Sequence, residues 1–394
     1  MNAHPRTGLF GRPILTATIA VAALAGIGIG GVALANRDKS DPPQWQAGAA
    51  AAPPTVPKQR TPSSSPPREE STGDAISMSA TGDIIMGSAP NKLPARNGDG
   101  FFDSVTDGLK SDFVMGNLEQ PLTGDTGTSK CGSPPRANCF AFRSPPAYAK
   151  HLQEAGFQLL NTANNHSKDY GTQGYQNTVQ ALEGAGLKHT GAQDEITVVE
   201  VKGVKVAVVG FSPYAGANNL NNLEAARDVV KRAAGQADLV VVQVHMGAEG
   251  SDKTHVKPGS ELFFGENRGD PKAFSHAVVD AGADVVIGHG PHVLRGMEFY
   301  KDRLIAYSLG NFAGGGKTLS STGVLKYGAI LHVSLQPDGT WAGGKVVSTY
   351  LNAAGVPTAD ENGKSRDLIA DLSADDFGDT AAKIGEDGSI SPPR

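Results

Sequence analysis

From residue 75 onward, short apolar runs alternate with amphipathic stretches, and most of the runs end in polar residues. Residues 75–80 place Ile76 and Met78 in alternation with Ser77 and Ser79, the two-residue period of a strand. Residues 113–115 and 156–160 are shorter apolar runs of the same kind. Residues 196–200 and 204–209 flank a Lys202-Gly203 turn and predict a hairpin. Residues 239–244, 285–287 and 304–307 are almost wholly apolar and rich in β-branched side chains, the mark of strands buried on both faces. Two late strands are expected at Tyr327–Leu335 and over 345–351. Helical spacing falls between these runs, at 145–155, 175–185, Leu223–Ala234 and 273–281. Alternating strands and helices with several buried strands predict one α/β domain with helices on both faces.

The polar residues that close the strands carry the chemistry. Asp83 ends the first strand, and Asn117 and Glu119 follow the second. Asn164-Asn165-His166 follow the third, with Asp169 close behind. His245 and Glu249 come after the run at 239–244, His289 and His292 after 285–287, and Asn311 after 304–307. Strands of a mostly parallel sheet bring their ends to one edge, where ligands bind in such folds. Carboxylates, an amide oxygen and imidazoles together suit Zn²⁺, Mn²⁺ or Fe. Each residue also has a plainer role: Asp83 as a cap, Glu119 as a solvated loop charge, His245 as a hydrogen-bonded core side chain. Four histidines that all stand after strands favour the ligand role. His151, His189, His255, His276 and His332 lack that context and are expected to be surface or packing residues.

Composition narrows the setting. A net charge of −5 over 394 residues gives no reason to expect nucleic-acid binding. Arg6 and Arg12 precede an uncharged apolar run at 14–35, long enough to span a bilayer. It ends in Ala33-Leu34-Ala35, which would also serve as a signal-peptidase site. Either way the following chain is expected outside the cytoplasmic membrane. Residues 36–74 are rich in Pro, Ser and charge and are expected to form a disordered or extended tether. Residues 75–355 would then form the folded domain, and 356–394 an acidic tail with frayed ends, in which Leu368 and Phe377 could dock a short helix. The only two cysteines, Cys131 and Cys139, are close in sequence and are expected to pair in an exported protein.

The ordered motifs resemble those of the bacterial capsule-synthesis protein CapA family. They are Thr81-Gly82-Asp83, Asn117-Leu118-Glu119, Ala163-Asn164-Asn165-His166 with Asp169-Tyr170-Gly171, the His245 to Glu249 segment, the Gly288 to His292 segment, and the Ser308 to Phe312 segment. That family is tied to poly-γ-glutamate production and belongs to the calcineurin-like metallophosphatase superfamily. The resemblance implies an α/β/β/α sandwich and one or two divalent ions, Zn, Mn or Fe. It implies Asp83, Glu119, Asn165, His245, His289 and His292 as metal ligands and His166 as the catalytic acid or base. The superfamily's Asp-x-His is here Asp83-Ile84-Ile85, so one imidazole is absent, and Gly288-His289-Gly290-Pro291-His292 holds one residue more than Gly-His-x-His.

The resemblance thus implies a metal-dependent hydrolase, with Asn117, Asn164, Glu249, Asn311 and Arg143 placed to meet substrate. The bond cleaved would be a phosphoester or an amide, and the partner an anionic cell-envelope polymer or its precursor. A second reading keeps the fold and a metal without turnover, as an assembly factor in a capsule-synthesis complex. A third, a binding module for anionic polymer, would use Arg136 and Arg143. The amino terminus is directly testable. If 14–35 is an anchor, which its length favours, washed membranes retain the intact chain at high salt. If Ala35 is a cleavage site, amino-terminal sequencing begins at Asn36 and the protein is released.

Overall fold

The computed structural model of the protein describes residues 74–394, so the apolar segment at 14–35 and the linker up to residue 73 lie outside the described residues. Among the described residues no helix is long and apolar enough to cross a membrane. Two sheets form the centre. The first runs Pro357–Ala359, Trp341–Leu351, Tyr327–Leu335, Ile76–Ile85, Phe113–Leu118, Leu159–Asn161, Lys188–Thr190, with Asn311–Gly314 also paired to Ile76–Ile85. The second runs Met297–Tyr300, Arg303–Ala306, Val285–His289, Leu239–His245, Val204–Ser212, Thr197–Val201, with Asn218–Asn219 on Val204–Ser212.

Strand periodicity sorts the side chains into layers. On Leu239–His245, the side chains of Leu239 and Val241 enter the core between the sheets, where they meet Met78, Phe113 and Leu159 of the first sheet. Val240, Val242 and Val244 point the other way, onto the helices Leu223–Ala234 and Pro271–Asp280. On the far side of the first sheet, Ile84, Leu118 and Leu160 pack with Phe102, Leu152 and Leu182. The result is a four-layer α/β/β/α sandwich. Both faces of each central strand are covered, which is why these runs carry so little polar alternation. The expected Lys202-Gly203 hairpin joins Thr197–Val201 to Val204–Ser212.

Register then decides what meets at the sheet edges. In the first sheet Asp83 lies beside Asn117 and Asn311, and Asn117 beside Asn161. In the second, His289 lies beside His245. The pairing of Ile76–Ile85 with Phe113–Leu118 breaks register just before Asp83. Gly82 is required there: a Cβ at this position would fall 2.0 Å from the carbonyl oxygen of Gly310.

The tail contains the helix that Leu368 and Phe377 suggested. Lys364–Phe377 is a helix, and Ile369 and Ile390 are buried in the core between the sheets. The Phe377 ring stacks on Tyr307 at 5.0 Å between centroids, and Ser373 Oγ accepts a hydrogen bond from Met297 N at 2.8 Å. Between Leu368 and Phe377, Ile369 and Leu372 follow the same helical spacing amid the tail's acidic residues. Ile369→Ala should therefore cost about 2–4 kcal/mol in denaturant unfolding. A frayed tail would give a change within about 0.5 kcal/mol.

Candidate metal centre and cleft

The register brings the expected ligands together. One ligand atom each from Asp83, Glu119 and His245 lies within 4.8 Å of the others, and all three residues are buried. His289 Nδ1 is 3.9 Å from Asp83 Oδ1. His292 Nδ1 stands 3.1 Å from Asp83 Oδ2, and its Nε2 3.5 Å from Glu119 Oε1. Asn165 Nδ2 reaches Glu249 Oε1 at 3.4 Å. The extra residue before His292 is absorbed by two left-handed positions, Gly290 at φ 110° and His292 at φ 58°. They fold the segment back so that the imidazole faces the carboxylates.

Two carboxylates buried this close are costly unless a positive charge joins them. Burial pushes the Glu119 carboxyl well up, with the nearby charges of Asp83 and Glu249 adding to the rise against the opposing pull of His292. Burial acts the same way on Asp83, but its hydrogen bond to His292 and that residue's charge outweigh it and hold Asp83 low. Burial and the Arg268 charge keep His245 neutral, and burial takes His289 down to about 4 against the opposing pull of Asp83. A neutral imidazole is the form that ligates a metal.

The site's hydrogen-bond accounting tests whether a cation fits. Both Glu119 oxygens, both ring nitrogens of His289, His245 Nδ1 and Asn165 Oδ1 are buried with no hydrogen-bond partner among the described residues. Buried polar atoms are rarely left so. The carboxylate and amide oxygens can give lone pairs to a metal, and so can one nitrogen of each neutral imidazole, the other carrying the proton. The donor set of carboxylate, imidazole and amide oxygen fits a divalent cation.

The surrounding residues divide by role. Asn117 donates from Nδ2 to Asp83 Oδ1 at 2.8 Å, and its Oδ1 accepts from Asn161 at 2.9 Å and Asn164 at 3.2 Å. Asn164 Oδ1 also accepts from the His166 amide at 3.1 Å. Asn311 Oδ1 lies 2.9 Å from His292 Nδ1, and its Nδ2 donates to the carbonyls of His292 and Leu325. These three buried amides hold other site residues in place through these bonds. Arg143 sits apart from them. It bonds Asp125 at 3.3 Å and lies 5.3 Å over the Tyr170 ring, outside the lining of the cleft described next.

A cleft of 450 Å³ is lined by Asn165, His166 and Glu249 together with Lys130, Tyr214 and Arg268. His166 Nδ1 lies 2.8 Å from Asp169 Oδ2. The carboxylate fixes the tautomer, with Nδ1–H donated to it and Nε2 left for chemistry. Lys130 Nζ pairs with Asp169 Oδ1 at 2.6 Å and donates to the Asn165 carbonyl at 3.0 Å. Its 3.2 Å approach to His166 Nδ1 is then a close contact between donors rather than a hydrogen bond. Burial lowers the His166 pKa, with the Asp169 charge and hydrogen bond opposing and the Lys130 charge adding to the drop. Arg268 was not legible in the sequence. It is buried and donates to Glu249 Oε1 at 2.6 Å and to Glu266 Oε2 at 3.1 Å. It follows no core strand and belongs to no motif, so nothing in its neighbourhood marked it.

Cys131 and Cys139 are disulfide-bonded, as expected. The bond closes the loop that carries Lys130 to the His166–Asp169 pair.

Fold and edge together define an α/β/β/α protein with a buried cluster of carboxylates and imidazoles at its strand ends that could hold a cation. The chain belongs to the bacterial capsule synthesis protein PGA_cap family, whose model matches residues 77–315. It is 35% identical over 279 residues to the capsule biosynthesis protein CapA of Bacillus anthracis, covering 64% of this chain and 63% of that one. It is 30% identical over 343 residues to the PGA biosynthesis protein CapA of Bacillus subtilis strain 168, covering 81% and 82%. A 5′-nucleotidase precursor from Thermus thermophilus overlays with a TM-score of 0.40 at 14% identity, over 76% of this chain and 59% of that one. That overlay is too loose to carry an argument.

Adding Mn²⁺ or Zn²⁺ should stabilise the folded chain, by about 2.7 kcal/mol at about a hundred times the dissociation constant. Glu119→Gln should lose most of that gain in thermal melts. An equal gain in the variant would place the cation elsewhere.

Proposed function

We propose that this chain is a divalent-metal-dependent hydrolase that acts on a phosphoester during synthesis of an anionic cell-envelope polymer, of the capsule or poly-γ-glutamate type. The observation that carries the reading is the buried cluster of Asp83, Glu119 and His245 beside the His166–Asp169 pair. The names of the two Bacillus relatives supply the polymer context. The metallophosphatase affinity drawn from the motifs agrees with the four-layer sandwich and with the site at its strand ends.

Asp83, Glu119, His245, His289 and His292, with Asn165 at the rim, would hold the cation. A divalent ion in such a site supplies Lewis acidity and lowers the pKa of water. His166 stands where its Nε2 can give a proton to the leaving oxygen, and Asp169 keeps that nitrogen turned toward the cleft. Lys130 and Arg136 on the cleft wall favour an anionic scissile group, hence a phosphoester over an amide. The chain would work outside the cytoplasmic membrane, held or led there by residues 14–35, on a polymer or precursor presented by a membrane synthesis complex. The assembly-factor reading draws on Ile84-Ile85, which stand where the superfamily carries an imidazole.

His166→Ala should keep bound metal and near-native melting while losing about 10²–10⁴ in rate. His245→Ala should lose metal and activity together. Elemental analysis and phosphodiesterase kinetics on the same preparations check both. Wild-type protein that binds metal but turns over no phosphoester would favour the assembly factor. A His166→Ala protein emptied of metal would make His166 a ligand.

A further inference from the structure

Of the four large apolar side chains exposed among the described residues, three gather at one place. Phe140, 65% exposed, and Phe264, 85% exposed, line the same cleft as His166, and Leu262, 65% exposed, belongs to the same hairpin as Phe264. The rings come from two separate loops. Phe140 follows the disulfide, and Phe264 sits in the turn between Leu262–Phe263 and Glu266–Asn267.

That turn is unusual for its sequence. Phe263 pairs with Glu266, so the loop is two residues long, and both residues are left-handed, Phe264 at φ 47° and Gly265 at φ 83°. Two-residue turns of this kind favour Asn-Gly, because a bulky residue at positive φ is strained. Here a phenylalanine holds the first position with its ring in solvent. Neither folding propensity nor core packing accounts for that choice.

The polar groups nearby are already committed. The Tyr214 hydroxyl donates to Glu266 at 2.8 Å, and Arg268 occupies Glu249 and Glu266. A hydroxyl-rich sugar would find few free partners on this wall. What remains open is chiefly aromatic surface, with the Asn138 amide and Arg136, which gives one N–H to the Lys130 carbonyl and has no acidic partner among the described residues. We infer that the cleft takes an amphiphilic phosphoester, its anionic group at the His166 end and an alkyl or prenyl chain laid against Phe140 and Phe264. This deepens the proposed function and rests on it for the phosphoester head.

The test is calorimetric titration of the full chain with octylphosphonate and methylphosphonate, both below any micelle concentration. Octylphosphonate should bind at least about tenfold more tightly, since each buried methylene adds to affinity. Phe264→Asn should melt at the wild-type temperature or above, because Asn suits the turn, yet lose most of the octyl advantage. Phe140→Ser should lose it too, and methylphosphonate binding should stay unchanged in both. Equal affinity for the two phosphonates would overturn the inference. So would an octyl advantage that survives both substitutions, since the chain would then lie elsewhere. If octylphosphonate binds through Phe264 but no phosphoester is turned over, the hydrolase reading falls and the amphiphile site stands. Equal turnover of methyl and octyl phosphoesters with no chain effect on binding gives the reverse.

Discussion

Asp83 and Glu119 are two carboxylates taken out of water and set side by side, and the structure around them is an answer to that constraint. Like charges in a low-dielectric interior cannot both ionise without compensation. The protein supplies part of it through His292, which sits between Asp83 and Glu119. The neutral imidazoles of His245 and His289 offer lone pairs rather than charge. The unpartnered atoms of Glu119 and His289 are the part the protein leaves to a cation.

The two sheets fix this arrangement rigidly. Parallel register sets Asp83 beside Asn117 and His289 beside His245, so Asp83, His245 and His289 are held by backbone pairing, while Glu119, Asn165 and His292 follow the strand ends. A network of amides from Asn117, Asn161 and Asn164 then connects the Asp83 carboxylate to the His166 backbone. The cleft walls are built differently. A disulfide-closed loop and a two-residue hairpin flank the site, where shape can vary without disturbing the sheets.

The strand-end chemistry was legible because buried strands read as apolar runs, β-branched at 239–244 and 285–287, and each ligand stands at or within a few residues of the end of one. Leu223–Ala234 and Tyr327–Leu335 agree with expectation to the residue. Roles were harder to read than positions. Asn117, Asn164 and Asn311 looked like substrate contacts, since residue type and location do not reveal what a buried amide bonds. Arg268 escaped notice because its partners Glu249 and Glu266 are brought to it by a loop, not by a periodic element. In the tail, Leu368 and Phe377 marked a docking helix, but the surrounding charge masked Ile369, which reaches the core.

A metal site formed by the strand-end carboxylates and imidazoles would be visible by anomalous diffraction from crystals grown with Mn²⁺ or Zn²⁺, collected on both sides of the metal's absorption edge. The expected result is a strong difference peak within coordination distance of Asp83, Glu119 and His245, about 2.0–2.2 Å for zinc. A map with no peak there, or with its only peak on more exposed histidines such as His255 or His276, would contradict it.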